Sequence, residues 1–368
     1  MIVRELTFDG FRNLHSGGWQ PCEGVNILSG ENAQGKTNLL EACWLFTGSR
    51  SFRGAKDSEM VGFDAEEARL GLKFRAADRE QEADITIRTR RQVTLNGVKL
   101  PSAAKLAGAF CGVVFSPAHL SLVKDGPEGR RHFADAAYCQ IKPGYIGTLT
   151  EYQKVLTQRN ALLKQCRSPG TVTTEQSDML DLWDNTMAVA AARLTLARGY
   201  YIQKLEPLAA DVYNGLSGGR EQMALSWQSP AFSAGATPGE IAAGWLEELQ
   251  KARRADLAVG FSTAGAHRED LQILLDGVPA KTYGSQGQQR SAVLALKLAE
   301  ASLLQDVTGE KPVAFLDDVM SELDVSRQDY ILNHIDGWQV FITCCEPSTA
   351  LRMTAGKQFF IKQGVLSE

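Results

Sequence analysis

The chain has 368 residues, 44% hydrophobic and 22% charged, with a net charge of -4 at pH 7 and an isoelectric point near 5.9. That size allows two domains, and the balance excludes both a disordered chain and one that coats nucleic acid by bulk positive charge. No apolar stretch reaches the roughly 18 residues of a membrane helix, and Met1 to Phe8 alternates as a strand rather than a secretion signal, so a cytoplasmic protein with no membrane partner is expected.

In chain order, Ile2, Leu6 and Phe8 mark a first strand and Val25 to Leu28 another. Directly after it, Gly30-Glu31-Asn32-Ala33-Gln34-Gly35-Lys36-Thr37 fits the P-loop pattern G-x-x-x-x-G-K-[ST], and a helix is predicted from Thr37 to about Phe46. Strand signals continue at Leu70 to Phe74, Ala83 to Ile87 and Val93 to Leu95, where Asn96-Gly97 predicts a hairpin returning through Val98 to Leu100. After the apolar strand Gly112 to Phe115 the character changes. Glu128 to Tyr213 reads as helices broken by Pro143-Gly144 and by Ser168-Pro169-Gly170. Another helix covers about Pro238 to Arg254, a strand Asp270 to Leu275 meets the turn Asp276-Gly277, and a long amphipathic helix runs from Gln288 to about Leu304. Strand Pro312 to Leu316, a helix near Ser326 to His334 and strand Gln339 to Thr343 follow. One parallel sheet assembled from both ends of the chain is expected, with 1–115 and 305–368 as one lobe and 116–304 as the other.

The P-loop glycines allow the backbone to turn tightly, so that its N–H groups ring a triphosphate while the following helix points its positive end at it. Lys36 is expected to reach the outer phosphates of ATP, and the Thr37 hydroxyl to hold Mg²⁺. Val313 to Asp318 is an apolar strand ending in two carboxylates. Asp is also common where a strand ends in a plain polar turn, but beside a P-loop Asp317 is expected to act on Mg²⁺ and Asp318 to orient or deprotonate an attacking water. Ser285-Gln286-Gly287-Gln288, opening the long helix, has the S-x-G-Q arrangement of the ABC signature. A serine hydroxyl, a glycine that permits close approach and free N–H groups at a helix start make a second phosphate site. That site is expected to complete the P-loop of another copy, in an isologous dimer around two ATP molecules. Leu216-Ser217-Gly218-Gly219-Arg220 looks closer to the usual L-S-G-G-Q string, but Met223 to Trp227 after it reads as a strand, so a turn is predicted there.

Along nearly its whole length the sequence resembles the RecF family of ABC-type ATPases, relatives of the chromosome-structure ATPases. Besides the P-loop, the resemblance is carried by Phe11 to Leu14, Thr47 to Arg53, Phe115-Ser116-Pro117, Gly129-Arg130-Arg131 and Ala264 to Asp270, and by Ser285 to Arg290, Leu294 to Glu300 and Leu316 to Asp324. It implies an α/β fold: an ABC-type ATPase head with a mixed sheet core and an inserted, mainly helical second lobe that carries the signature. Around ATP it implies Arg12, Asn13, Gly30, Glu31, Asn32, Ala33, Gln34, Gly35, Lys36, Thr37 and Asn38, with Ser321, Glu322, Leu323 and Asp324 as the D-loop facing the partner copy. The function implied is ATP-dependent dimerisation on duplex DNA near single-strand gaps or junctions, helping the mediators RecO and RecR place the RecA recombinase, with hydrolysis as the release.

Several positions depart from the family pattern. Its usual G-P-H-R-D-D string appears as Gly265-Ala266-His267-Arg268-Glu269-Asp270. Cys344 and Cys345 stand where transport ATPases carry a switch histidine, and Asp318 is one methylene shorter than their glutamate, so slow turnover is expected. The seven cysteines form no C-x-x-C pair and are expected reduced; the five histidines are scattered. For DNA contact the first expectation is Arg53 and Lys56, ahead of Arg50, the trio Arg88, Arg90 and Arg91, and the trio Lys251, Arg253 and Arg254. A transporter's nucleotide subunit would want the switch histidine, and a tether with coiled-coil arms would want sustained heptads, which Pro143 and Pro169 interrupt.

Overall fold

A computed structural model describes residues 1–167, 172–345 and 356–368; the break expected at Ser168-Pro169-Gly170 lies outside the described residues. The chain divides into two compact units, Met1–Val123 with Leu208–Met223 and Gly284–Glu368, and Lys124–Pro207 with Ala224–Tyr283.

The first unit holds two six-stranded sheets. In Ala68–Ala76 every second residue, Ala68 through Ala76, is buried, so one face meets the core and the other meets water. That strand lies in an antiparallel sheet ordered Gly17–Trp19, Ile2–Asp9, Ala68–Ala76, Arg79–Ile87, Arg91–Leu95, Val98–Leu100. The turn between the last two is the expected one, with Asn96 and Gly97 both at positive φ, 49° and 76°.

The second sheet is the one expected from both ends of the chain. Its order is Val365–Ser367, Lys357–Lys362, Val25–Ser29, Val340–Cys344, Val313–Leu316, Gly112–Phe115, parallel except at the Val365–Ser367 edge. Val340–Cys344 and Val313–Leu316 are buried at every position, as strands covered on both faces must be. The two strands after residue 355 have no counterpart in the expected elements, because their polar residues mask the pattern. Aromatic side chains tie the sheets into one core: Trp19 meets Phe341 at 4.8 Å and Phe359 at 5.5 Å, and Phe315 stacks on Phe341 at 5.4 Å.

The unit boundaries differ from the expected 1–115 and 305–368 against 116–304. The signature helix, Gln286–Thr308, groups with the P-loop unit. Its residues from Ser291 to Ala301 are all buried, including the ion pair of Lys297 with Glu300, so it is a core helix of that unit rather than one with a wet face. The Leu216 to Arg220 string turns as expected: Ser217 ends the helix Thr174–Ser217, Gly218 and Gly219 turn at φ 66° and 75°, and strand Met223–Gln228 follows.

The second unit contains helices Pro127–Ile141, Tyr145–Arg167 and Pro238–Val259, the first part of Thr174–Ser217, and strand Asp270–Leu275. Charges buried in pairs fix how they pack. Arg159, fully buried, reaches Asp184 and Asp256 at 2.7 Å each, and Arg198 reaches Asp135 and Glu269 at 2.8 Å each. Burial raises the Glu269 carboxyl while Arg198 and the Thr195 hydroxyl oppose that shift. The Ala264 to Asp270 string is thus part of a polar core, in which His267 Nδ1 lies 2.7 Å from the Tyr152 hydroxyl. No helix among the described residues is long and apolar enough to cross a membrane.

Candidate nucleotide site

The P-loop leaves strand Val25–Ser29 through Gly30 and enters helix Lys36–Trp44 at Gly35. Glycine is required at both ends. A Cβ on Gly30 would meet the Ile361 carbonyl at 2.3 Å, and Gly35 sits at φ 118° with Asn13 Oδ1 3.1 Å from where its Cβ would be. The helix starts without any side-chain cap, which leaves its N-terminal N–H groups for an anion. Lys36 is buried and folded back on its own loop, its Nζ donating to the carbonyls of Gly30 at 2.7 Å and Glu31 at 3.0 Å.

One strand separates the P-loop strand from the one that ends at Asp317, and it contributes Thr343. The hydroxyls of Thr37, at 2.8 Å, and Thr343, at 3.0 Å, both donate to Asp317 Oδ1. Burial pushes the Asp317 carboxyl up, and those two hydroxyls pull the other way. A desolvated carboxylate beside a hydroxyl, with a second carboxylate next in sequence, is chemistry suited to a hard divalent cation, so Thr37 and Asp317 fit Mg²⁺. Asp318 takes a positive φ of 53° and donates its backbone N–H to Thr343 Oγ1 at 2.9 Å, so Thr343 holds the Asp317 carboxylate and the backbone of Asp318.

Thr37 and Asp318 open on a cleft of about 900 Å³ also lined by Arg12, Asn13, Asn32, Ala33, Gly35, Lys36 and Asn38 and by Arg53, Ser58, Glu59, Val61, Gly62, Phe63 and Ala65, while Asp317 and Thr343 lie behind its lining. Most of the expected ATP residues are therefore together. Gly30 and Glu31 shape the loop from behind, through their carbonyls on Lys36. Gln34 is turned away: its carbonyl and side chain accept the N–H groups of Gly364 and Gln363 at the C-terminal hairpin.

Arg53 also belongs to this lining. Expected on DNA, it lines the nucleotide cleft, its guanidinium donating to Asn38 Oδ1 at 2.8 Å, while Asn38 donates to Asn13 and Asn13 to the Ala33 carbonyl. Lys56 is exposed and does not line the cleft. Of the other basic candidates, Arg88 pairs with Glu67, Arg91 with Asp57, Lys251 with Glu248 and Arg253 with Asp181 and Asp184.

Glu41 is the residue that sequence reading missed. Fully buried on the P-loop helix, it takes a two-pronged contact from Arg12 at 3.0 Å per bond, accepts the Ser51 hydroxyl and lies 3.9 Å from Arg53. A carboxylate inside the apolar run Leu39 to Cys43 was its only signal. Removing its charge strands Arg12 and Arg53 as like neighbours, so Glu41→Gln should lower stability by about 2 kcal/mol and weaken ATP binding. Urea unfolding and an ATP titration check both; a variant unchanged in the two would dissolve the network.

Ser285, the N-cap of its helix, accepts the Gln288 N–H at 3.2 Å while Gln288 Oε1 accepts the Ser285 N–H at 2.7 Å. Ser285 and Gln286 are exposed, and none of Ser285 to Gln288 lines the cleft. A Cβ on Gly287 would meet nothing nearer than 3.9 Å, so the protein's own packing does not demand glycine there. Ser321 donates to the Asp318 carbonyl at 3.0 Å, Gln328 donates to the carbonyls of Met320 and Leu323, and Asp324 caps helix Val325–His334. Arg327 of that helix donates to Ser291 Oγ at 3.0 Å, tying the expected D-loop to the signature helix. Burial pushes the Cys344 thiol up to about 11, whereas Cys345 is exposed, donating to Asn32 Oδ1 at 3.1 Å with Lys36 Nζ 3.8 Å away. All seven cysteines are free.

A family model described as the RecF/RecN/SMC N-terminal domain matches residues 2–367. The DNA replication and repair protein RecF of Caldanaerobacter subterraneus is 38% identical over 347 residues, which cover 93% of this chain and 94% of that one. RecF of a Synechococcus strain is 40% identical, covering 91% and 88%. Among solved structures, the recombination mediator protein RecF bound to ATP, of the RecFOR pathway, superposes with a TM-score of 0.92 at 37% identity, covering 100% of this chain and 97% of that one. The Smc head domain of Pyrococcus furiosus shares the fold at 13% identity, with a TM-score of 0.54 and coverage of 100% and 95%.

Proposed function

The chain belongs to the RecF family of DNA replication and repair proteins, the recombination-mediator ATPases, and we propose that this member is a clamp that dimerises on DNA when it binds ATP and reopens when it hydrolyses it. The observation that supports this reading is the separation between the cleft and the signature. Ser285 to Gln288 form an open phosphate site on the same unit as the P-loop without lining its cleft, so a second copy is the natural source of a γ-phosphate for them.

In the dimer each cleft holds the triphosphate with Lys36, the P-loop N–H groups, Arg12 and Arg53, and the partner copy closes it with its signature and D-loop. Thr37 and Asp317 would hold Mg²⁺, which when bound neutralises charge on the outer phosphates. Asp318, whose backbone N–H is held by Thr343, orients the attacking water and accepts its proton. With a thiol at Cys345 in place of an imidazole, donation to the phosphate is weak, so hydrolysis is slow and serves as a release timer. The macromolecular partners in this reading are duplex DNA with a single-strand gap or junction, contacted by Lys56, and the mediators RecO and RecR acting ahead of RecA. The full-length match to repair proteins leaves a transporter role without support.

Sedimentation velocity with Mg-ATP, with and without gapped duplex, across a salt series tests this reading. ATP should shift monomer to dimer, DNA should strengthen the shift, and salt should weaken only the DNA effect. Asp318→Asn should lock the dimer, hydrolysing about a hundredfold more slowly; wild-type turnover in that variant would remove Asp318 as the base.

A further inference from the structure

Phe63 is completely exposed, at 108% of its reference area. It stands second in the tight turn Gly62-Phe63-Asp64-Ala65, closed by the Ala65 N–H on the Gly62 carbonyl at 3.1 Å. The turn is firmly held. Gly62 donates to the Gly10 carbonyl at 2.8 Å, Arg12 donates to the Met60 carbonyl at 2.9 Å, and Phe11 bridges Val61. A Cβ on Gly62 would strike the Arg12 carbonyl at 2.9 Å, so glycine is what lets the turn lie flat against the Arg12 segment. A rigid backbone thus holds a large ring in water, where it forfeits the burial a phenylalanine normally gains.

Phe63 also lines the P-loop cleft, together with Val61 and Ala65 and with Gly35, Lys36 and Thr37 at the start of the P-loop helix. Arg12, which also lines it, has its guanidinium held on Glu41 and donating to the Glu59 carbonyl at 3.0 Å, next to the Phe63 turn in sequence. The lining therefore combines cationic, N–H-rich groups with one large aromatic side chain. A nucleoside triphosphate asks for both characters, with its anionic tail and its flat base.

We propose that Phe63 is the base-stacking platform of this site: a purine lies on its face while the triphosphate occupies the P-loop, and the ring gains its burial only from the bound base. The proposal rests on reading the cleft as a nucleotide site and deepens it. Stacking accepts any purine, so Phe63 adds affinity without distinguishing adenine from guanine.

The test compares wild type, Phe63→Ala and Phe63→Trp, titrated with ATP, GTP and inorganic tripolyphosphate, with sedimentation velocity alongside. Because Phe63 is fully exposed, its truncation removes no buried contact. Phe63→Ala should bind ATP and GTP about tenfold more weakly and tripolyphosphate as wild type does. Phe63→Trp should restore the affinity, and its added fluorescence should be quenched by ATP and not by tripolyphosphate. Unchanged ATP affinity in Phe63→Ala overturns the proposal, and if dimerisation or DNA binding falls instead, the ring is a macromolecular contact. A wild-type chain that binds neither ATP nor tripolyphosphate would refute the nucleotide reading itself and the proposal with it.

Discussion

Replacing Lys36 with alanine should abolish ATP-driven dimerisation and weaken ATP binding by about a hundredfold or more. Lys36 is the buried cation of the P-loop, and its Nζ donates to the Gly30 and Glu31 carbonyls. When a triphosphate enters, those donors exchange neutral carbonyls for anionic oxygens, and charge-assisted bonds of that kind are worth about 1.5–3 kcal/mol each. Two such bonds account for the predicted loss. The substitution also leaves the two carbonyls without their donor, so the fold must be verified by its unfolding midpoint before the binding result is read. Dimers that form with ATP at wild-type affinity in a folded Lys36→Ala protein would end the assignment of this loop to phosphate.

The contrast between Lys36 and Glu41 indicates what a sequence can carry. Lys36, Thr37 and Asp317 lie in contiguous strings whose pattern is set by a local geometry, strand then tight turn then helix, so their roles are written in their neighbours. Glu41 acts through Arg12 and Ser51, which come to it from separate segments, and nothing local marks that meeting. Thr343 is similar: only the insertion of Val340–Cys344 between the P-loop strand and the Asp317 strand brings its hydroxyl to the Asp317 carboxylate and the Asp318 backbone N–H. The place of Arg53 at the cleft was not legible because charge clustering with Arg50 and Lys56 is a statement about composition, whereas the Ser51 hydroxyl on Glu41 folds this loop back against the P-loop helix. At Gln34 the P-loop pattern constrains the backbone and leaves the side chain to the C-terminal hairpin, a partner far away in sequence.

The substitution that separates the two halves of the ATP site is Ser285→Arg, expected to leave ATP binding by the monomer intact and to remove the ATP-dependent dimer. Ser285 is exposed, caps a helix buried from Ser291 to Ala301, and does not line the cleft. Losing the cap costs about 1 kcal/mol, too little to unfold a helix held by that much buried surface. In the dimer the same hydroxyl accepts the Gln288 N–H and still has its own proton to donate, so it can serve a phosphate oxygen without giving up the cap. An arginine there removes the hydroxyl and drives a long side chain into the face that must close on the other copy. Ser285→Ala, which deletes the hydroxyl without adding bulk, should weaken the dimer by roughly tenfold, in line with one charge-assisted hydrogen bond. Nucleotide titration of the monomer and sedimentation with ATP read the two effects separately. If Ser285→Arg loses monomer binding along with the dimer, the signature serves its own chain's nucleotide and the two-copy site is wrong.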